Sequence, residues 1–146
     1  MAMLRKVLAL LDLSLNEEKT EIVNVWRGKI DFLGFEIRMG RGRKTGKYYP
    51  HVQPSKRSVQ AIKNRVTDLT RRERTIMPLE WIINEVNATV RGWVSYFHYR
   101  NCSHSLGQVR NHVEQRMITH LRKRYKVRDR KTGYVRFPNR SLYERY

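Results

Sequence analysis

Tyr48-Tyr49-Pro50-His51-Val52-Gln53-Pro54-Ser55-Lys56-Arg57-Ser58-Val59-Gln60-Ala61-Ile62 is the stretch where the hydrophobic period changes. Before it the pattern is strand-like, and Tyr48 to Gln53 reads as a short strand ended by Pro54. After it Val59, Ile62, Val66 and Leu69 follow at steps of 3, 4 and 3. That spacing draws one apolar stripe along a helix, with Ser55 placed to cap its start. A second helix opens after Pro78, a residue suited to a first turn, and carries Leu79, Ile82, Val86, Val90, Trp93 or Val94, and Phe97. A third starts near Ser103 or Ser105 and carries Leu106, Val109, Val113, Met117 and Leu121, with Tyr125 at its end. Three amphipathic helices bury such stripes against one another, so residues 55–127 predict a small helical bundle.

Upstream the elements are shorter. Leu4, Val7, Leu8 and Leu11 give Met1 to Asp12 the spacing of a short helix. Lys19 to Trp26 is rich in β-branched residues and reads as a strand. Arg27-Gly28-Lys29 signals a turn, and Ile30 to Ile37 reads as a second strand with Phe32-Leu33-Gly34-Phe35 at its centre. A glycine inside a strand marks a bulge or a close backbone approach. Residues 38–47 form a basic, glycine-rich loop, mobile by composition. Beyond Arg128, Thr132-Gly133 signals a turn between aromatic patches at Tyr134 to Phe137 and Tyr143 to Tyr146, a tail that forms a short strand or stays loose. The fold class expected is α+β: a short N-terminal helix and a β-hairpin, then a three-helix bundle.

The chain has 146 residues with 31 Lys plus Arg and 13 Asp plus Glu, a formal charge of +18. Such a charge repels itself unless something acidic neutralises it. It is also uneven, because residues 51–146 hold 21 of the basic side chains and only 7 of the acidic ones. Arginine dominates there, and its planar fork grips phosphate at two points and stacks on bases. Nucleic acid is therefore the first partner expected, ahead of an anionic membrane surface. One cysteine excludes an internal disulfide framework. No apolar run approaches the roughly 20 residues that span a bilayer, and no secretory signal pattern opens the chain. The expectation is a soluble, cytoplasmic protein.

Candidate chemistry is sparse. His112 and His120 lie two helical turns apart, too far to share a metal, and Cys102 and His104 lack a second pair, so no metal site is expected. The remaining reading of the histidines is polar or nucleic-acid-facing. The four aspartates are scattered, and Glu17-Glu18 on an extended segment would point to opposite faces, so no carboxylate pair for two-metal chemistry emerges. Gly40, Gly42 and Gly46 lack the Gly-Lys-Ser/Thr ending of a nucleotide-binding loop. Arg91-Gly92-Trp93 sets a glycine inside a helix, at a cost of about 1 kcal/mol against alanine, which calls for helix packing around Trp93 or for a close neighbour such as an RNA strand. Trp81, Trp93 and Phe97 read as core, and Tyr96, Tyr99 and Arg100 as an exposed face.

Leu13-Ser14-Leu15-Asn16-Glu17-Glu18-Lys19-Thr20 followed by Phe32-Leu33-Gly34-Phe35 resembles the last two blocks of the reverse-transcriptase palm in group II intron-encoded proteins. Arg91-Gly92-Trp93-Val94-Ser95-Tyr96-Phe97, in the middle of three basic helices, resembles the maturase-specific domain, the thumb, of the same family. The resemblance covers nearly the whole chain. It implies a C-terminal palm remnant over residues 1–53 and a thumb-like maturase domain with a basic tail over 54–146. It further implies binding to group II intron RNA, help with intron folding and splicing, and a grip on template–primer duplex. Phe32, Leu33, Gly34 and Phe35 would form the primer-side hairpin, and Lys19 would lie near the nucleotide.

The family's catalytic Tyr-x-Asp-Asp block has no counterpart, since this chain contains no Asp-Asp. The chain thus resembles the C-terminal part of a maturase, with no catalytic residue and no cofactor expected, although the full-length family uses magnesium. The mechanism expected is phosphate clamping by Arg41, Arg43, Lys44, Lys56, Lys63, Arg71, Arg91, Arg122, Lys123, Arg124 and Lys126, with shape readout of folded RNA. Two alternatives stand beside it. One is a polymerase fragment active only with fingers and palm supplied in trans; the other is a general basic scaffold or DNA-binding protein. Apolar surface around Leu8, Leu11, Phe32 and Phe35 makes self-association a further expectation.

Overall fold

The computed structural model describes residues 2–14, 16, 20, 22–140 and 142. Lys19 and the Glu17–Glu18 pair lie outside the described residues, as does the patch Tyr143 to Tyr146. The order is α1 (Ala2–Ala9), β1 (Ile30–Phe32), β2 (Phe35–Arg41), β3 (Tyr48–Pro54), α2 (Lys56–Leu69), a 3-10 turn (Arg72–Ile76), α3 (Leu79–Phe97), α4 (Ser103–Arg124) and α5 (Arg130–Arg136).

The three strands form one antiparallel sheet in the order β1-β2-β3. The expected single strand from Ile30 to Ile37 is in fact two. Phe32 pairs with Phe35, and Leu33-Gly34 make the two-residue turn between them. Both turn residues have positive φ (49° and 82°), the pattern of a type I′ hairpin. The expected strand from Lys19 to Trp26 is absent among its described residues. Instead the Asn24 side chain accepts from the Trp26 N–H (3.0 Å), and the Asn24 carbonyl accepts from Arg27 and Gly28, which coils the segment into a turn. The Met39 N–H donates to the Val25 carbonyl (3.2 Å) and pins that turn to β2. On one face of the sheet Glu36 is buried, bridged by Lys29 (2.7 Å) and by the Gln53 amide (3.1 Å). The Lys29 ammonium holds the Glu36 carboxyl below its ordinary pKa.

The helices follow the expected stripes. Val59, Ile62 and Val66 of α2 meet Val109 of α4, with Val90, Trp93 and Val113 packed alongside. Leu69, Leu79, Ile82, Ile83, Val86, Met117 and Leu121 form the second half of the core. Ser55 caps α2 by accepting from the Ser58 N–H (3.2 Å). The tail differs from expectation: residues 130–136 are helical. Asp129 caps α5 by accepting from the Thr132 N–H (2.8 Å) and hydroxyl (2.6 Å). Gly133 is buried inside α5 because the Arg122 stem lies on it, 3.0 Å from where a Cβ would stand. Phe137 then stacks on Tyr125, with ring centroids 5.6 Å apart.

Sheet and bundle are joined by a polar seam. The Gly34 carbonyl accepts from the Ser55 N–H (2.8 Å) and the Ser58 hydroxyl (2.9 Å). The Asn101 N–H donates to Val52 O (3.0 Å), and the Asn101 side chain accepts in return from Val52 N–H (3.3 Å). Phe35 meets the Phe97 ring at 5.0 Å. A Cβ on Gly34 would stand 2.8 Å from Ser58 Oγ and 3.0 Å from Phe97 Cζ, so the glycine answers both the turn and the close approach. Among the described residues no helix is long and apolar enough to cross a membrane.

Candidate nucleic-acid interface

From Ile37 to Thr67 the chain contains no acidic residue and nine basic ones. The fold turns this run into a ribbon, β2 and β3, followed by α2. At the ribbon tip the loop after Arg41 is closed rather than loose. Gly42 N–H donates to Lys47 O (2.9 Å), Gly46 N–H to Gly42 O (2.8 Å), and Arg41 Nε to Gly46 O (3.1 Å). Arg43 and Lys44 project from this tip, exposed. Farther along, a cleft of about 390 Å³ opens between the end of β3 and the starts of α2 and α4. Its lining includes Lys56, Gln60, Lys63, His104 and Gln108, with no carboxylate. The Lys63 ammonium donates to the Gln108 side-chain carbonyl (3.1 Å), and the Gln108 amide lies 2.8 Å from His104 Nε2. Both helices begin at this cleft, so their partial positive ends add to the two lysines.

The other expected contact residues are placed elsewhere. Arg71 pairs with Asp68 at 2.7 Å in an exposed ion pair. Arg91 sits at the rim of a separate cavity of about 240 Å³ between α3 and α4, beside Val113, Glu114 and Leu142. At the end of α4, Lys123 and Lys126 are exposed, whereas the neighbouring arginines serve the fold. Arg122 lies on Gly133, and Arg124 donates to Thr75 O (2.9 Å) and to Met77 O.

Arg116, eight residues before Arg124, has a similar task that the sequence reading missed. Its guanidinium donates to Thr70 Oγ1 (3.0 Å), Thr70 O (3.0 Å) and Thr67 O (3.3 Å), closing the end of α2. The signal was present in the step of four through residues 116, 120 and 124, alongside the apolar stripe.

The histidines correct another expectation. His120 is fully buried, and desolvation pushes its imidazole below the ordinary pKa, with Thr70 O 3.5 Å from Nδ1. His112 is part-buried against Lys63 O and the Thr67 hydroxyl, both at 3.0 Å. Both therefore belong to the α2–α4 contact rather than to a nucleic-acid face. Among the described residues no three of His, Cys, Asp and Glu converge.

Three further residues sharpen the picture. Trp81, expected in the core, is 41% exposed, and the Arg74 guanidinium lies 5.8 Å from its ring centre. Tyr96, Tyr99 and Arg100 are exposed as expected. Trp93 packs on Phe97 at 4.8 Å, but nothing stands within 4 Å of a Cβ on Gly92. Packing around Trp93 therefore does not account for that glycine. Gly92→Ala should raise stability by up to about 1 kcal/mol, seen as a higher melting temperature in circular dichroism. A lower one would show that the exposed side of α3 is occupied in the folded protein.

The family model of the group II intron maturase-specific domain matches residues 59–136, from the first turns of α2 to the end of α5. Neither the search of curated proteins nor that of solved structures returned a match. The match takes in more than half of the chain, all of α3 and α4, and the Arg91–Phe97 block. The chain therefore belongs to the group II intron maturase-specific domain family, whose role lies in the splicing of group II introns.

Proposed function

We propose that this chain is an RNA-binding maturase module that holds folded group II intron RNA through its phosphates and so assists splicing. The carrying observation is the run without carboxylates, residues 37–67, folded into one ribbon and one lysine-lined cleft. Arg41, Arg43, Lys44, Lys56 and Lys63 supply the cations there, and Lys123 and Lys126 extend the contact at the far end of α4. Residues 1–53 serve as the remnant of a palm and residues 54–146 as the thumb-like maturase unit. No chemistry is assigned to the chain, because a Tyr-x-Asp-Asp block is missing from its sequence.

Ultraviolet crosslinking of the purified chain to a self-splicing intron transcript tests this reading. Attached peptides should map to residues 38–63 and to the end of α4, and random duplex DNA at the same salt should compete poorly. Equal competition by duplex DNA would leave only a general basic scaffold.

A second reading has its own observation. Phe32, Leu33, Phe35, Ile37, Pro50 and Val52 line, together with Tyr99 and Arg100 from the connection after α3, a mainly apolar hollow of about 400 Å³. A chain carrying fingers and catalytic aspartates would bury it and make this protein a polymerase subunit. Co-purification of two such chains, with primer extension restored, would favour that reading over the first.

A further inference from the structure

The ribbon tip carries two aromatic rings that phosphate clamping does not use. Trp26 and Tyr48 are 61% and 58% exposed, large aromatic surfaces left in water. Their rings meet edge to face with centroids 5.1 Å apart. The Arg41 guanidinium lies 5.9 Å from the Tyr48 ring centre, and Arg41 pairs with Tyr48 across the ladder.

The arrangement is held from behind. Asn24 fixes the Trp26 backbone through its side chain, the Val25–Met39 hydrogen bond ties the turn to β2, and Arg41 is tethered to Gly46 O. The Trp26 backbone and the Arg41 guanidinium are thus held without a ligand, which lowers the ordering cost of binding.

On the ribbon that carries Tyr48 the charge between Ile37 and Thr67 is of one sign. Arg43, Lys44 and Lys47 are exposed on the adjoining loop, and no acidic side chain occurs between Ile37 and Thr67. Exposed aromatic rings beside an arginine and within a cationic rim suit nucleobases, whose faces stack on the rings while the rim meets the phosphates. A protein partner of ordinary composition would find no carboxylate between Ile37 and Thr67 to pair with its own cations.

We propose that Trp26, Tyr48 and Arg41 form a stacking platform for an unpaired base of the bound RNA. This rests on the RNA-binding reading but adds a ligand class to it, the single-stranded nucleotide. The platform grips bases, whereas the clamp grips only the backbone.

The test compares two probes on the full chain at one salt concentration: a ten-nucleotide oligoadenylate and an abasic phosphodiester of equal length and charge. The oligoadenylate should bind about ten-fold more tightly and quench tryptophan fluorescence. Trp26→Ala and Tyr48→Ala should each erase most of that preference and leave abasic binding unchanged. Trp26→Phe should keep much of the preference while removing the quenching, which separates Trp26 from Trp81 and Trp93. Equal binding of the two probes by the unaltered chain would overturn the platform while leaving the clamp intact. Failure of both probes and of intron RNA to bind would overturn platform and RNA-binding reading together. If Trp26→Ala instead dissolved a self-associated form and left the base preference untouched, the patch would be a protein contact and the platform would be refuted.

Discussion

Intron RNA should lose between a thousand-fold and a hundred-thousand-fold in affinity as salt rises from about 50 to about 200 mM. That range follows from roughly six to ten phosphate contacts, each releasing a condensed counterion. The number of exposed cations available on the ribbon, the cleft and the end of α4 is of that order. Filter binding over a salt series measures the slope. Replacing Arg43, Lys44, Lys56 and Lys63 by alanine should shallow the slope by roughly 0.7–0.9 per contact removed. These side chains are on the surface and none packs in the core, so the variant should fold. An unchanged slope would move the contact surface away from the ribbon and cleft, and binding indifferent to salt would end the clamp. Arg122, Lys123 and Arg124 do not make an equally clean set, because two of the three hold the fold together.

Arg116→Ala should cost about 3 kcal/mol of stability. The helix it closes, α2, ends with carbonyls that have no partner of their own in the helix. Arg116 meets the Thr70 carbonyl and hydroxyl at the cap and adds to Thr67 O, which also accepts from the Thr70 N–H (3.2 Å). Hydrogen bonds from a charged donor contribute roughly 1.5–3 kcal/mol, and stranding buried acceptors adds to the loss. Burial lowers the Arg116 pKa from its ordinary value, the expected sign of desolvation that the three bonds offset. Lysine should recover only part of the loss, because an ammonium lacks the planar fork that reaches all three oxygens. Urea denaturation followed by circular dichroism reads the effect. Lys123→Ala serves as the control, expected within about 0.5 kcal/mol of the parent. A loss at Arg116 no greater than at Lys123 would show that the clasp is incidental.

The bundle was legible because its signals are local. Val59, Ile62, Val66 and Leu69 sit at helical steps behind a serine cap, and the same residues line the core. The hairpin was harder. Type I′ turns advertise themselves through Asn-Gly or Asp-Gly. Here Leu33 holds the first position, so the apolar run hid the reversal. The segment ending at Trp26 has β-branched residues but, among its described residues, no ladder partner, and strand propensity depends on having one. Helix α5 was masked by Thr132-Gly133, whose glycine serves the Arg122 stem rather than a turn.

At the interface, charge was readable but destination was not. Arg116 and Arg124 carry the same side chain as Arg43, yet only the packing of α4 against the α2–α3 connection decides that they face inward.

The seam between sheet and helices bears on how the protein can be cut. The family match begins at Val59, one turn past the cap of α2. A fragment trimmed to that limit would lack Ser55, Ser58 and the Gly34 carbonyl, and it would leave Phe97 without the ring of Phe35. A fragment that keeps this seam is therefore longer than the homology unit. It starts before Gly34, and an expression boundary drawn inside α2 would sever the hydrogen bonds that Ser55 and Ser58 donate to the Gly34 carbonyl.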